Sequence, residues 1–73
     1  MKVRDRIRKA LESIMTEGEA EAAQVYKGND YSGVIQAYGW WYRMFNRQPT
    51  YLGTSLSEAL ATIADIAESR ETE

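Results

Sequence analysis

The side chains of this 73-residue chain that could do chemistry are mainly aromatic rings and cations. Six of them lie close together in the middle of the chain and form our candidate binding set: Tyr38, Trp40, Tyr42, Met44, Arg47 and Tyr51. The first four alternate, and alternate residues of a β-strand project from one face. Such a face can form a protein interface, where Tyr, Trp and Met are enriched, or stack unpaired bases. It can also be core beneath a helix of the same chain.

A second group consists of cations near the N-terminus. Five of the nine lysines and arginines fall within the first nine residues. Arg4, Arg8 and Lys9 are candidate contacts to phosphate or to an acidic partner surface. The alternative is a solvated helix start without a binding role. The formal net charge of −2 argues against a surface that grips phosphate throughout, although it permits a local basic patch.

Catalysis finds little support in the composition. The chain has no histidine and no cysteine, so the commonest general base, the commonest metal ligand and thiolate nucleophiles are missing. Its serines therefore have no histidine to activate them and fit turn or capping roles better. Glu17, Glu19 and Glu21 are spaced two apart, which places them on different sides of a helix. We expect no enzyme activity, no catalytic residue, no metal and no cofactor.

Length limits the stability that one core can provide. A domain below about 80 residues draws only about 3–5 kcal/mol from its core. Docking on a larger partner or forming a homodimer would bury more surface. No apolar run approaches the roughly 20 residues of a membrane span, and no signal region follows the charged start. We expect a soluble, cytoplasmic protein whose partner is another protein or a second copy, with nucleic acid as the other option and no membrane.

The N-terminal third reads as helical. Apolar residues recur at helical spacing over residues 2–15. Thr16 and Glu19 have the spacing of a capping box, so a second helix begins there or the first continues through the alanines that follow. We expect the helical segment to span residues 1–27 and to end near residue 26. Residues 27–30 then form a loop with Gly28 as a left-handed C-cap. The alternative is a strand that begins at Val25 and Tyr26.

The rest of the chain reads as three strands and a helix. The strands are predicted at 34–38, 40–45 and 50–52, with Gly39 as a turn or kink and residues 46–49 as a second turn. A capping box at Ser55–Glu58 opens a helix over residues 55–69, before a frayed polar tail at 70–73. The prediction is one α+β domain over residues 1–73: an N-terminal helix, a three-stranded antiparallel sheet over 31–54 and a C-terminal helix.

Several short motifs in this region carry a family resemblance. They are Tyr31-Ser32-Gly33-Val34, Gly39-x-Trp41, Tyr51-Leu52-Gly53-Thr54 and Glu58-Ala59. Over residues 31–62 the chain resembles the plant ethylene-response-factor type of DNA-binding domain and the arm-type domains of phage integrases. The resemblance implies three antiparallel strands packed on one C-terminal helix, with the sheet laid in the DNA major groove.

The positions that would face the groove lack the family's arginines. The matching residues carry no basic side chain: Ser32, Ile35, Ala37, Tyr38, Trp40, Tyr42, Met44, Asn46, Pro49 and Tyr51. Base readout uses Arg, Lys, Asn and Gln, and affinity rests on phosphate neutralisation. The fold therefore does not carry the family's activity across. We expect a small regulator, adaptor or inhibitor that docks on a larger partner, with nucleic-acid binding as the alternative.

Strand alternation also predicts which side chains form the core. The face of Trp41, Arg43 and Phe45, together with Val34 and Leu52, is expected to pack on the C-terminal helix through Leu56, Leu60 and Ile63. Arg43 would then need Glu58 or Asp65 as a partner, or would reach out to solvent from an edge. If the aromatic face is core, and not a protein interface or a base-stacking surface, it would lie under the N-terminal helix, which gives a helix–sheet–helix sandwich.

Overall fold

A computed structural model describes residues 2–45 and 47–71 of the chain. Its elements, in chain order, are α1 (Val3–Leu11), α2 (Glu17–Ala22), β1 (Gln24–Ser32), β2 (Ile35–Arg43), β3 (Thr50–Gly53) and α3 (Leu56–Glu71). The strands form one antiparallel sheet in the order β1-β2-β3. The predicted α+β class, with a helix at each end of a three-stranded antiparallel sheet, is confirmed.

The N-terminal helical region consists of two helices, α1 and α2. Of the two alternatives, the capping box is the one that forms. The Glu19 backbone N–H donates to Thr16 Oγ1 at 3.2 Å, and the Thr16 N–H donates to Glu19 Oε1 at 3.1 Å. The Thr16 hydroxyl also donates to Glu19 Oε1 at 3.0 Å, and the two hydrogen bonds from Thr16 to this carboxylate hold the pKa of Glu19 below its usual value.

A helical segment to residue 27 and a loop at 27–30 are both wrong. Strand β1 begins at Gln24 and runs through Gly28. This agrees with the alternative prediction of a strand that begins at Val25 and Tyr26. Val25 lies opposite Tyr42, and Tyr26 lies opposite Trp41. These cross-strand aromatic partners come from a distant part of the sequence, and they favour the extended form over a helix.

The predicted break at Gly39 is also wrong, because β2 is continuous through it. The reversal occurs instead at Gly33 and Val34, a two-residue turn between Ser32 and Ile35. Gly33 has a φ of 59°, as the first central residue of a primed hairpin turn requires. Gly39 is needed for close packing, since a Cβ there would lie 2.4 Å from the Gly53 carbonyl oxygen.

The predicted third strand is confirmed, with Thr50 opposite Tyr42 and Tyr51 opposite Trp41. A register shift follows, so that Gly53 lies opposite Trp40. Residues 47–49 belong to the connection from β2, as predicted, while Asn46 of that turn lies outside the described residues.

Both long helices lie on one face of the sheet. Helix α1 covers the face of Tyr42, as one alternative predicted, but α3 packs on that face too, so the expected helix–sheet–helix sandwich is wrong. The main core is a cluster of buried side chains from α1, the α1–α2 region, the sheet and α3: Ile7, Leu11, Ile14, Ala20, Ala23, Val25, Tyr42, Leu52, Ala59 and Ile63. Its sheet residues project from the same face as Tyr42 and not from the face of Trp41. Thr62 strengthens the helix–sheet contact by donating its hydroxyl hydrogen to the Leu52 carbonyl at 2.7 Å.

The predicted core therefore needs correction at several positions. Leu52 and Ile63 are buried in it, and Leu56 packs against it. Phe45 is instead 88% exposed, because it follows the end of β2, and Val34 is 101% exposed, because it lies in the turn before β2. Neither residue lies in a strand that would hold it against a helix. Leu60 is half-buried.

Helix α3 is capped much as predicted and is longer than predicted. The Glu58 N–H donates to Ser55 Oγ at 3.2 Å, but the Glu58 carboxylate accepts from the N–H and hydroxyl of Thr54. These two bonds hold the pKa of Glu58 below its usual value. The helix continues past the predicted end at 69, and the Arg70 guanidinium donates to the Ile14 carbonyl. Arg70 is thus not frayed, and residues 72 and 73 of the predicted tail lie outside the described residues.

Candidate docking surface

The helix side of the hairpin carries a lysine between two aromatic rings. Lys27 on β1 lies opposite Trp40 on β2, and Tyr38 projects from the same face two residues earlier in β2. The Lys27 ammonium nitrogen is 5.9 Å from the centroid of the Tyr38 ring and 5.9 Å from that of the Trp40 ring. Both distances lie within the range of cation–π attraction. Tyr38 is 56% exposed and Trp40 is half-buried, so the group is accessible from solvent.

Helix α1 brings further cations to the same place. Arg4 and Arg8 are four residues apart, which places them on one side of the helix. Together with Lys2, Val3, Asp5 and Trp40 they line a surface cavity of about 460 Å³. We define the aromatic–basic patch by the residues that this packing brings together: Lys2, Arg4, Arg8, Lys27, Tyr38 and Trp40. Its four cations outnumber the neighbouring carboxylates, those of Asp5 and of Glu21, which shares a second cavity with Arg4 and Arg8, so its charge is opposite to that of the whole chain.

The two arginines of the patch differ in their freedom. Arg8 is half-buried, and its guanidinium Nη2 donates to the Ala23 carbonyl at 3.3 Å. Its buried Nε has no hydrogen-bond partner among the described residues. Arg4 is exposed. Both arginines also border a cavity of about 560 Å³ beside residues 21–26. Arg8 thus ties α1 to the start of β1, while Arg4 is the arginine free to meet a partner.

The remaining predicted contacts lie elsewhere. Tyr42 is 9% exposed within the core, and Met44 is half-buried against it. Tyr51 lies on the other sheet face, where its hydroxyl donates to the Tyr38 carbonyl at 3.2 Å. Arg47 is exposed in the β2–β3 connection. Lys9 pairs with Glu12 at 3.9 Å. Of the nine predicted contact residues, the patch therefore unites Arg4, Arg8, Tyr38 and Trp40.

The face of the sheet that neither α1 nor α3 covers is closed by aromatic packing around Trp41. The Trp41 side chain is fully buried, with the Tyr51 ring centroid 4.9 Å away. Its indole Nε1 donates to the Gly28 carbonyl at 3.2 Å. Trp41, Tyr26 and Tyr51 form a row across the three strands. Sequence reasoning placed Trp41 against the C-terminal helix, and this assignment is wrong.

At the end of the sheet, the hairpin approaches the β2–β3 connection over this same face. The Ser32 hydroxyl donates to Gln48 Oε1 at 3.2 Å. Gln48 lies two residues before Thr50, which pairs with Tyr42. In a flat sheet, Tyr42 would be about 23 Å along β2 from Ile35, the partner of Ser32. The two ends meet only because the sheet and its connection curve over the helix-free face.

Polar groups at the margin of this face are linked to one another. The Tyr26 hydroxyl donates to Asp30 Oδ2 at 2.5 Å, and Arg43 Nη2 donates to Gln24 Oε1 at 2.9 Å. Burial and the Asp30 carboxylate raise the pKa of Tyr26 to about 12, while the Tyr26 hydrogen bond lowers that of Asp30. Arg43 is exposed, as the alternative in which it reaches solvent predicted, and it pairs with neither Glu58 nor Asp65.

Two patch residues were missed by sequence reasoning. Lys27 was assigned to a loop, and Lys2 was counted only as one charge in the N-terminal group. The alternative strand starting at Val25 contained the signal for Lys27, because it places that residue on the face of Val25. Only the register with β2 brings Lys27 next to Trp40.

Comparisons with known proteins add no family to this description. No protein family, curated protein or solved structure matches the chain. Within residues 2–45 and 47–71, no helix is long and apolar enough to cross a membrane. Over that same part of the chain, acidic side chains do not gather into a group that could hold a metal ion.

Proposed function

We propose that this protein is a non-enzymatic binding module that docks on a larger protein through its aromatic–basic patch and so acts as a regulator, adaptor or inhibitor. The observation that supports this is the placement of Lys27 between Tyr38 and Trp40, beside the cations of α1. Aromatic rings supply contact area at little cost in conformational entropy, and cations around them select a partner of opposite charge. The partner surface is therefore acidic and partly apolar.

The same geometry favours a protein over unpaired bases. A base that stacks on Tyr38 or Trp40 needs a free ring face, and the Lys27 ammonium lies near both rings. Carboxylates of an acidic partner surface, in contrast, can pair with the exposed Lys27 and Arg4 without displacing Lys27 from the rings. The acidic balance of the whole chain, −2, also weakens attraction to nucleic acid at long range.

Charge reversal on the patch tests the proposal. We expect Arg4→Glu and Lys27→Glu each to keep the thermal midpoint within a few degrees and to abolish capture of the partner from a nuclease-treated lysate of the source organism. Arg6→Glu is the matched control, because Arg6 is exposed on the other side of α1. Equal capture by all three variants would refute the role of the patch.

Sizing at two concentrations, with the same variants, separates a foreign partner from a second copy. A homodimer through the patch would show concentration-dependent mass that Arg4→Glu removes and Arg6→Glu retains. We expect the protein alone to keep one mass at both concentrations. Concentration-dependent mass that follows the patch would replace the foreign partner with self-association.

A second candidate function is nucleic-acid binding by the helix-free sheet face. Arg43 and Arg47 are both exposed and border one surface cavity with Asp30 and Gln48. The DNA-binding families that residues 31–62 resemble use a sheet face, and on this face the chain does carry arginine. Titration of a labelled duplex at two salt concentrations tests it. Binding that falls steeply with salt and is lost in Arg43→Ala would favour this function over protein docking.

A further inference from the structure

Strand β1 is an edge of the sheet. It pairs with β2 on one side, and no strand among the described residues pairs with its other side. The pairing with β2 runs without a bulge or a proline through the nine described residues from Gln24 to Ser32. Bulges, prolines and charged side chains are the usual protections of an edge against pairing with another chain. Strand β1 carries two charged side chains, Lys27 and Asp30.

The geometry of the hairpin determines which backbone groups of β1 point away from the sheet. The two-residue turn between Ser32 and Ile35 makes these two residues a hydrogen-bonded pair, and such pairs alternate along an antiparallel ladder. The N–H and C=O groups of the even-numbered residues of β1 therefore bond to β2. Those of the odd-numbered residues point outward: Val25, Lys27, Asn29 and Tyr31.

The two charged side chains of β1 leave the middle of this edge open. The Lys27 ammonium lies 5.9 Å from the ring centroids of Tyr38 and Trp40, which draws it toward β2 and away from the edge. Asp30 Oδ1 accepts the outward N–H of Tyr31 at 2.8 Å. Among the described residues, the edge is thus closed next to the hairpin turn and open along the middle of the strand.

We propose that the protein partner adds an extended segment to the outer edge of β1, pairs with Lys27 and Asn29, and places an acidic side chain beside Lys27. This rests on the proposed function, because Lys27 contributes both outward backbone groups and a cation of the aromatic–basic patch. Outward N–H and C=O groups recur every second residue, roughly 7 Å apart, along the strand. Another extended backbone matches this row, whereas a nucleic acid or a lipid headgroup does not.

The space beside the edge has the charge that an acidic segment needs. The cavity of about 560 Å³ is lined by Arg4 and Arg8 of α1 and by residues 21–26, which include the start of β1. Its described lining contains no residue of β2, so it lies on the outer side of β1. One carboxylate, that of Glu21, accompanies the two arginines there. A segment that pairs with β1 would bring its own carboxylates near these arginines.

A second copy of this chain fits the edge less well than a foreign segment. In an antiparallel pairing of two β1 strands, outward-pointing residues lie opposite one another. Lys27 would then face one of the four outward residues, none of which is acidic. The acid of the strand, Asp30, projects from the other face. Self-pairing therefore gives Lys27 no carboxylate, whereas a segment with acidic residues on the helix side does.

Amide hydrogen exchange of the wild-type protein tests the pairing directly. The probe is a short capped peptide that alternates valine and glutamate, and its control has lysine in place of glutamate. In the free protein, the N–H groups of Lys27 and Asn29 should exchange faster than those of Gly28 and Asp30, which bond to β2. The acidic peptide should slow exchange at Lys27 and Asn29 roughly tenfold or more, and the lysine peptide should not. Unchanged exchange with the acidic peptide, or equal slowing by both peptides, would overturn the inference.

Proline at position 29 removes one outward donor and no hydrogen bond to β2. Edge strands tolerate proline where the N–H faces solvent, so Asn29→Pro should keep the thermal midpoint within a few degrees. Asn29→Ala is the matched control, because it removes the side chain and keeps the N–H. We expect Asn29→Pro to weaken binding of the acidic peptide roughly tenfold or more and Asn29→Ala to leave it unchanged. Equal binding by the two variants would contradict strand pairing. If Asn29→Pro does not fold, the exchange experiment on the wild-type protein decides alone.

The variants also separate this inference from the proposed function. If Arg4→Glu abolishes capture of the partner from the nuclease-treated lysate and Asn29→Pro does not, the patch binds the partner and the strand inference is wrong. If only Asn29→Pro abolishes capture, the partner pairs with β1 and the patch proposal is wrong. If neither variant changes capture, both are wrong. Concentration-dependent mass of the protein alone that Asn29→Pro removes would replace the partner's segment with a second copy and overturn the inference.

Discussion

The two faces of the sheet are buried by different means. On one face, Val25, Tyr42 and Leu52 contact small and medium apolar residues of α1 and α3. On the other, one tryptophan is enclosed by a tyrosine ring and by backbone at a glycine. Both long helices of this short chain lie on the same side of the sheet. The helix-free face is therefore buried by a single large side chain, Trp41, whereas the helix side is buried by many smaller side chains.

The difference shows how a small domain can bury both sides of its sheet without a third layer. Gly28 and Gly39 lie opposite each other on the helix-free face. The missing side chain of Gly39 leaves room for the Gly53 carbonyl and the Tyr51 hydroxyl, and the Trp41 indole donates to the Gly28 carbonyl. The hairpin beyond these glycines extends past the core, which leaves Tyr31, Val34 and Tyr38 exposed.

The largest expected effect comes from Trp41→Ala. Removing a fully buried tryptophan costs about 3–5 kcal/mol, which is a large fraction of the stability of a small domain. We expect urea denaturation to show a strongly lowered midpoint or loss of cooperative unfolding. Phe45→Ala serves as the control because that ring is exposed. Similar midpoints for the two variants would mean that the helix-free face does not form a second core.

On the helix side, two neighbouring apolar residues of α3 should differ. Ile63 is 1% exposed in the core, and Leu60 is half-buried. Ile63→Ala should cost about 2–5 kcal/mol, whereas Leu60→Ala should cost about 1 kcal/mol. The measurement is the free energy of unfolding from denaturant titration. A larger loss for Leu60→Ala would show that α3 is rotated relative to the sheet.

The paired glycines provide a smaller effect with a built-in control. An alanine at Gly39 would bring its Cβ against the Gly53 backbone, whereas an alanine at Gly28 would meet nothing within 4 Å. Gly39→Ala should therefore destabilise the protein by about 1–3 kcal/mol, and Gly28→Ala by less than about 0.5 kcal/mol. Thermal melts of both variants check this. Equal melting would contradict the close approach of β2 and β3 at this point.

The smallest effect concerns pH. The folded protein holds the pKa of Tyr26 at about 12, against an ordinary value of 10.0. The stability that this hydroxyl contributes is thus fully present below pH 10 and is lost as pH rises through about 12. Tyr26→Phe should show a smaller fall of the thermal midpoint than wild type across that window.

Asp30 provides the corresponding test of pH dependence on the acidic side. Its pKa is lowered, so its contribution is present above the ordinary value of 3.8 and is lost as pH falls through the folded value. Asp30→Asn should flatten the acid limb of the melting profile. Unchanged pH dependence in both variants would argue against the Tyr26–Asp30 hydrogen bond in solution.

Sequence reasoning succeeded where local chemistry decides the structure. The cap at Thr16, the cap at Ser55 and the strand over Thr50–Leu52 each depend on residues within a few positions of one another. It was wrong over residues 24–30, where alanine and glutamate before Gln24 favour a helix and Gly28 resembles a helix stop. That segment becomes a strand because Val25 and Tyr26 pair with Tyr42 and Trp41, about 16 residues away.

The candidate site was anticipated in part. The aromatic residues and N-terminal arginines were found by type and spacing, but Tyr42 and Tyr51 separated from Tyr38 and Trp40 once the sheet was packed. Lys27 could not be chosen from the sequence, because its neighbour Trp40 is brought to it by the antiparallel register. The exposure of Val34 in the β1–β2 turn was likewise not predicted, because an apolar residue near a strand was assumed to belong to the core.

The sequence by itself determined the α+β class, both helix caps, the third strand and the division of β2 into two alternating sets of side chains. A period of two residues specifies these sets but is symmetrical between them, so it cannot state which set a helix covers. Only the tertiary structure decided that Tyr42 lies beneath the helices and Trp41 on the free face. The physical reason is that burial depends on where distant elements pack. The apolar sides of α1 and α3 both pack against the same face of the sheet.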